Sequence, residues 1–146
     1  MAPPVSHSLV EALRTVPDFA SLDDATLLQI LGVSMNLVWS AGSVVFDEGA
    51  PAEALYVVLS GRVRIYEAGE DGEDEVAVME AGDYFGEHSL LRDTTHSKGA
   101  RAMQDSELMV IPADSFRALL DGDPDLAGLI EATLRSRVQG GGRPSD

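Results

Sequence analysis

The sequence predicts an α+β fold, mainly β: a sandwich or barrel of short strands with helices before it and two helices after it. Three observations carry this reading. Apolar residues keep helical spacing at both ends, the middle breaks into seven short β-like runs, and glycine-bearing turns separate those runs. A chain of 146 residues with 45% hydrophobic content has the size of one domain built on one core.

Residues from Ser6 to about Gly32 read as helical. Leu9, Leu13 and Val16 share a helical face, and Pro17 stops that run. Ser21, with Asp24 three residues on, reads as the cap of a second helix carrying Leu27, Leu28, Ile30 and Leu31. Gly32 is expected to end it. From Met35 the period shortens to β-like runs at Asn36–Trp39, Val44–Phe46, Leu55–Leu59, Arg62–Glu67, Glu75–Met79, Ala100–Met103 and Glu107–Ile111. The run from Arg62 to Glu67 alternates cleanly, so one face is expected in the core and the other in water. Glu67 to Glu75 holds six carboxylates in nine residues and reads as a solvated hairpin tip rather than a metal site.

After Ile111 the helical period returns. Pro112 is expected in a first turn, with Phe116, Leu119 and Leu120 as the apolar stripe. A break at Asp121–Pro124 leads into a last helix to about Gln139, with Leu126, Leu129, Ile130, Thr133 and Leu134 on one side. The expected layout is therefore one domain over 1–140. It has helices at about 6–32, β structure at about 35–111, helices at about 112–139 and a flexible glycine-rich tail at 140–146.

Composition narrows the function classes. The formal net charge is −15, from ten Lys and Arg against 25 carboxylates, which argues against direct nucleic-acid binding. The longest apolar run, Ala54 to Leu59, falls far short of the roughly 20 residues a membrane helix needs. There are no cysteines, and the N-terminus lacks the basic and apolar regions of a secretory signal, so a cytoplasmic location is expected.

The chemistry concentrates between Gly82 and Ala102. Gly-Asp-Tyr-Phe-Gly-Glu forms a turn that delivers Glu87 into a short helix running to Arg92. Gly86 lets a ligand approach the backbone, and first-turn amides, having no helical partner, suit a phosphate. With Val16–Leu22, Ala41–Gly49 and Ala54–Val63 in the same order, this segment resembles the phosphate-binding cassette of the cyclic nucleotide-binding domain family. That is the sensor fold of catabolite-activator-type regulators, protein kinase A regulatory subunits and gated channels. The resemblance covers about Leu9 to Gln139.

The resemblance implies a jelly-roll-like β-barrel and a stand-alone regulatory module, not an enzyme, that takes cyclic AMP or cyclic GMP and needs no cofactor. It assigns Glu87 to the ribose 2′-hydroxyl beside the Gly86 backbone, and the amides of Ser89 and Ser97 to the cyclic phosphate. Ile65, Val76 and Met79 fall where the base pocket is lined, and Thr133, Leu134 and Arg137 where a lid would close. Bottom-up, Glu87 also suits a helix N-terminus without any ribose, and the three apolar residues suit an ordinary core.

His96 departs from the pattern. It stands nine residues after Glu87, where kinase-type cassettes carry the arginine that grips the phosphate. Histidine offers two donors on a shorter arm in place of a permanently charged fork. Losing one hydrogen bond to a charged group costs about 1.5–3 kcal/mol, or roughly ten- to 150-fold in affinity. Lys98 is placed to help, and a bound phosphate would hold a proton on His96, so affinity should rise as pH falls from about 8 to about 6. His88, Asp93 and His96 do not follow a known metal-ligand spacing. Ser97 beside His96 lacks the elbow and third member of a hydrolase. Two functions follow: a module sensing cyclic nucleotide weakly or pH-dependently, or a nucleotide-independent interaction or dimerisation module using Leu126, Ile130 and Thr133 of the last helix. A DNA-reading regulator of the same family would need a helix-turn-helix segment that these 146 residues do not contain.

Overall fold

The computed structural model describes residues 5–92 and 94–139, with side chains over 9–92 and 94–136. Helix α1 (Val5–Arg14), a 3₁₀ turn (Pro17–Phe19) and α2 (Asp24–Val33) come first. Strands β1 (Met35–Trp39), β2 (Val44–Phe46), β3 (Ala54–Ser60), β4 (Arg62–Gly69), β5 (Gly72–Glu80) and β6 (Tyr84–Phe85) follow. Then come α3 (Glu87–Leu91), β7 (Gly99–Ala102), β8 (Ser106–Pro112), α4 (Ala113–Gly122) and α5 (Pro124–Gln139). The strands form two antiparallel four-stranded sheets, β1-β8-β3-β6 and β2-β7-β4-β5. The jelly-roll-like α+β fold is therefore present as two facing sheets rather than a closed barrel.

The helices cover one face of the first sheet. In β3, Leu55 and Val57 pack with Phe19, Leu27, Ile30, Phe116, Leu126 and Ile130, whereas Ala54, Tyr56 and Val58 enter the space between the sheets. A strand covered on both faces needs an uninterrupted apolar run, which is what Ala54–Leu59 supplies. In β4, Val63 and Ile65 are buried between the sheets, and on the other face the Tyr66 ring is buried beneath the Arg64 and Arg101 guanidiniums.

Several local expectations are corrected. Asp23, not Ser21, caps α2: its backbone is extended (φ −75°, ψ 165°) and its carboxylate accepts from the Thr26 amide at 2.8 Å. Gly32 does not stop that helix, since it lacks the left-handed conformation a glycine stop uses; the chain leaves at Ser34 instead. Pro112 ends β8 and precedes α4, whose first amide, on Ala113, donates to the Glu53 carbonyl. Tyr84 and Phe85, read as part of a turn, pair with Val57 and Tyr56 as β6.

The acidic stretch 67–75 is mostly ladder, paired out to Gly69 and Gly72 around a two-residue turn. Cross-strand arginines hold it: Glu73 Oε1 accepts from Arg64 at 2.9 Å and from Arg101 at 2.8 Å, and Glu75 lies 3.3 Å from Arg64 Nε. The association face expected on the last helix is used internally. Leu126 and Ile130 are completely buried in the chain's own core, and Thr133 hydrogen-bonds Asp18. Among the described residues no helix is long and apolar enough to cross a membrane.

Two-sided burial of β3 sets a test. Leu55→Ala should cost about 2–5 kcal/mol in urea denaturation, while Val38→Ala on the exposed β1 should stay within about 0.5 kcal/mol. An unchanged midpoint for Leu55→Ala would contradict the packing described here.

Candidate ligand-binding site

The Gly82–Ala102 segment is built onto the first sheet by β6. Pairing of Phe85 with Tyr56 directs Phe85 between the sheets and leaves Gly86 directly over β3. Gly86 sits at φ 91°, ψ −2°, and a Cβ there would meet the Ala54 carbonyl and the Tyr56 ring, each at 3.3 Å. Glycine thus answers both the positive φ and the close approach. Helix α3 then begins with Glu87 and lasts only five residues. Glu87 and Ser89 are fully buried.

Beyond α3 the chain is tied to the loop that follows β2. Thr94 N–H donates to the Ser89 carbonyl at 3.0 Å, and Thr95 bridges Pro51. His96 N–H donates to the Ala50 carbonyl at 2.8 Å, and its own carbonyl accepts from Gly49 at 2.7 Å. These bonds fix the His96 backbone on both sides. Its imidazole lies face to face on Phe46, with ring centroids 3.6 Å apart and planes 8° from parallel, and the residue is 1% exposed. Phe46 also contacts Tyr56 and Phe85, which stack on each other at 5.3 Å. Histidine has therefore joined an aromatic cluster.

The same cluster contains Ile65, Val76 and Met79, so the structure brings the expected base-lining residues, Phe85 next to Gly86 and Glu87, and the His96 ring to one place between the sheets. Ser97 is exposed. Lys98 is 6% exposed, with its ammonium 3.5 Å from Ser97 Oγ, so it is already packed beside the segment rather than waiting in solvent.

Two of the three expected lid residues, Thr133 and Leu134, face the helical layer. Thr133 Oγ1 donates to Asp18 Oδ2 at 2.5 Å and Leu134 is 1% exposed, so α5 turns these two inward. Thr133 lies on the helical side of β6 instead of over the space between the sheets, because α5 packs on the 3₁₀ turn and α3. The Arg137 side chain and Asp93 lie outside the described residues. Among the described residues no group of three His, Cys, Asp or Glu is placed to hold a metal.

The sequence reading missed Phe46, Tyr56 and Phe85 as the wall of the site, although Phe46 and Phe85 lie inside the quoted motifs. It also missed Asp18, which joins the segment to the helices. Tyr84 O–H donates to the same Asp18 Oδ2 at 2.5 Å. Burial pushes the Tyr84 hydroxyl well above its ordinary value, reinforced by the Asp18 hydrogen bond and by the charges of Asp18 and Glu87.

Residues 37–123 match the family model for the cyclic nucleotide-binding domain. The chain is 35% identical over 114 residues to a lysophospholipase NTE1 of Chaetomium globosum, a match covering 75% of this chain and 8% of that protein. It is 32% identical over 128 residues to the cyclic AMP receptor protein of Thermus thermophilus, covering 87% of this chain and 59% of that one. Among solved structures, the sensor domain of the transcriptional regulator DNR from Pseudomonas aeruginosa superposes with a TM-score of 0.81 at 26% identity, covering 92% of this chain and 91% of that chain. The chain thus spans less than two thirds of the length of each of these two curated relatives.

The Tyr84 hydroxyl gives a pH test. Tyr84→Phe should lose about 1 kcal/mol at neutral pH. An unfolded tyrosine ionises near pH 10 while the folded Tyr84 keeps its proton, so the wild-type advantage is complete below about pH 10 and falls as pH rises beyond it. Urea midpoints of both proteins at about pH 8 and about pH 11 measure this; a gap that does not narrow would refute it.

Proposed function

The chain belongs to the cyclic nucleotide-binding domain family, and on that premise we propose that it is a regulatory module whose nucleotide site is held shut by His96. Cyclic AMP or cyclic GMP then enters weakly, and more readily in acid. The observation that carries this reading is the stacking of His96 on Phe46 at 3.6 Å, in the position where kinase-type relatives present an arginine.

A nucleotide would have to lift the imidazole off Phe46, giving up a contact worth about 0.5–1.5 kcal/mol, before the ring could donate to a phosphate. Once rotated, a protonated imidazole has two donors and one charge to offer, and Lys98 adds a second charge. Glu87 would accept from the ribose hydroxyl beside the Gly86 backbone, the Ser89 and Ser97 amides would face the phosphate, and Ile65, Val76 and Met79 would meet the base. Likeness to a cyclic AMP receptor protein supports the ligand class. Likeness to the lysophospholipase covers 8% of that enzyme, and the role assigned here is regulatory, without catalysis and in the cytosol.

A second reading, a protein-interaction module that takes no nucleotide, is supported by the closure of the site. Glu87 and Ser89 are 0% exposed and His96 is 1% exposed.

Calorimetry and thermal melts with cyclic AMP and cyclic GMP separate the two readings. The sensor reading expects wild-type affinity to be higher at about pH 6 than at about pH 8, and His96→Arg to tighten binding by roughly ten- to 150-fold. Equal affinity at both pH values would remove the charged histidine. No response from either protein at millimolar nucleotide would establish the second reading instead.

A further inference from the structure

We propose that β1 is a docking edge, taking up an extended segment of another protein in which apolar and basic residues alternate. The segment would be an added strand on the sheet β1-β8-β3-β6. Its free edge is distinct from the nucleotide site, although Trp39 at the end of β1 packs edge-on against Tyr56 of that site's wall.

β1 ends its sheet: its described strand pairing is with β8, and the opposite side meets no other described strand. An edge of this kind presents a row of backbone donors and acceptors, and proteins usually blunt it with charge, shortness or a cover. The other edges here are blunted. β2 has three residues and β6 has two. β5 opens with Gly-Glu-Asp-Glu, and its carboxylates are engaged by Arg64 and Arg101. β1 has none of these protections. Its sequence is Met-Asn-Leu-Val-Trp, without a charge, and Met35 is 60% exposed, Leu37 40% and Val38 71%. Val33, at the end of α2, is 40% exposed and prolongs the apolar strip.

The register and the charge define the occupant. Met35 pairs with Val110 and Leu37 with Leu108, two residues of the inter-sheet core, so this face of β1 belongs to the apolar side. Val38 pairs with Glu107 and so lies on the opposite face, beside a carboxylate, with Asp105 just beyond the end of the ladder. An incoming strand therefore lies against Met35 and Leu37 on one face and against Asn36 and Val38 on the other, where the Glu107 carboxylate stands one strand further in and Asp105 accepts from the Ala41 amide. A second copy of the chain would bring its own charge of −15 and the same carboxylates to that edge, whereas a Lys- or Arg-bearing strand is attracted to it. Five residues of β1 match a probe of about 17 Å.

The test uses the whole chain and fluorescein-Gly-Val-Lys-Ile-Lys-Val-amide, read by anisotropy at about 150 mM salt. A control peptide with proline in place of isoleucine keeps the charge and loses the ability to pair. The expected result is saturable binding of the first peptide, about tenfold weaker binding of the proline peptide, and about tenfold weaker binding to Val38→Lys. Hydrogen exchange should slow in Met35–Trp39 when the first peptide is bound. Val38 is exposed, so Val38→Lys should keep the wild-type urea midpoint, and Val38→Thr, uncharged, should bind like wild type. Equal binding of both peptides, protection elsewhere, or no binding at millimolar peptide would overturn the proposal. So would a wild-type dimer in sedimentation that Val38→Lys dissolves, since the edge would then belong to a second copy.

Discussion

Leu55 and Val57 point from β3 into the helical layer while Tyr56 and Val58 point between the sheets, so this strand has no face left for water. Everything around it serves to cover it. α2, α4, α5 and the 3₁₀ turn supply one cover, through Leu27, Ile30, Phe116, Leu126, Ile130 and Phe19. The second sheet supplies the other, through Phe46, Val63, Ile65 and Ala100. Because burial of apolar area is the dominant favourable term in folding, the helices are structural partners of the sheet, not appendages to it. The same requirement turns Leu126, Ile130 and Leu134 of α5 into the chain's own core.

The candidate site inherits this geometry. Phe85 must lie between the sheets if β6 is to pair with β3, and Gly86 must then turn sharply to start α3. The strap carrying His96 is bound to residues 49–51 by backbone hydrogen bonds that do not depend on the side chain at position 96. What histidine changes is the fate of the side chain: a flat ring of this size can lie on Phe46, whereas a guanidinium carries a permanent charge that resists removal from water.

Much of this was legible in the residues. Glycine-punctuated runs located seven of the eight strands, and β6 escaped because two residues between glycine-bearing turns carry no period to detect. Helix boundaries were less legible. Whether Ser21 or Asp23 caps α2 depends on which backbone is extended, and both residues are good caps. The segment 67–75 looked like a loop because carboxylates disfavour strands, and the compensating Arg101 lies far away in the sequence. The site was legible as a motif and not as a state. Nothing in the spacing of Glu87 and His96 shows that the imidazole meets Phe46, since that contact is made by the sheet pairing of β2 with β7.

Asp18 Oδ2 receives two hydroxyls, one from Tyr84 on β6 and one from Thr133 on α5. A single acceptor used twice is not the sum of two separate bonds, because removing either donor alters the setting of the other. The latch fastens three stretches distant in sequence: the 3₁₀ turn, the strand that leads into Glu87, and the last helix. Fraying of α5 can proceed from its far end only as far as Thr133 before it must disturb β6 as well. The stability of the last helix is therefore coupled through Asp18 to the strand that opens α3.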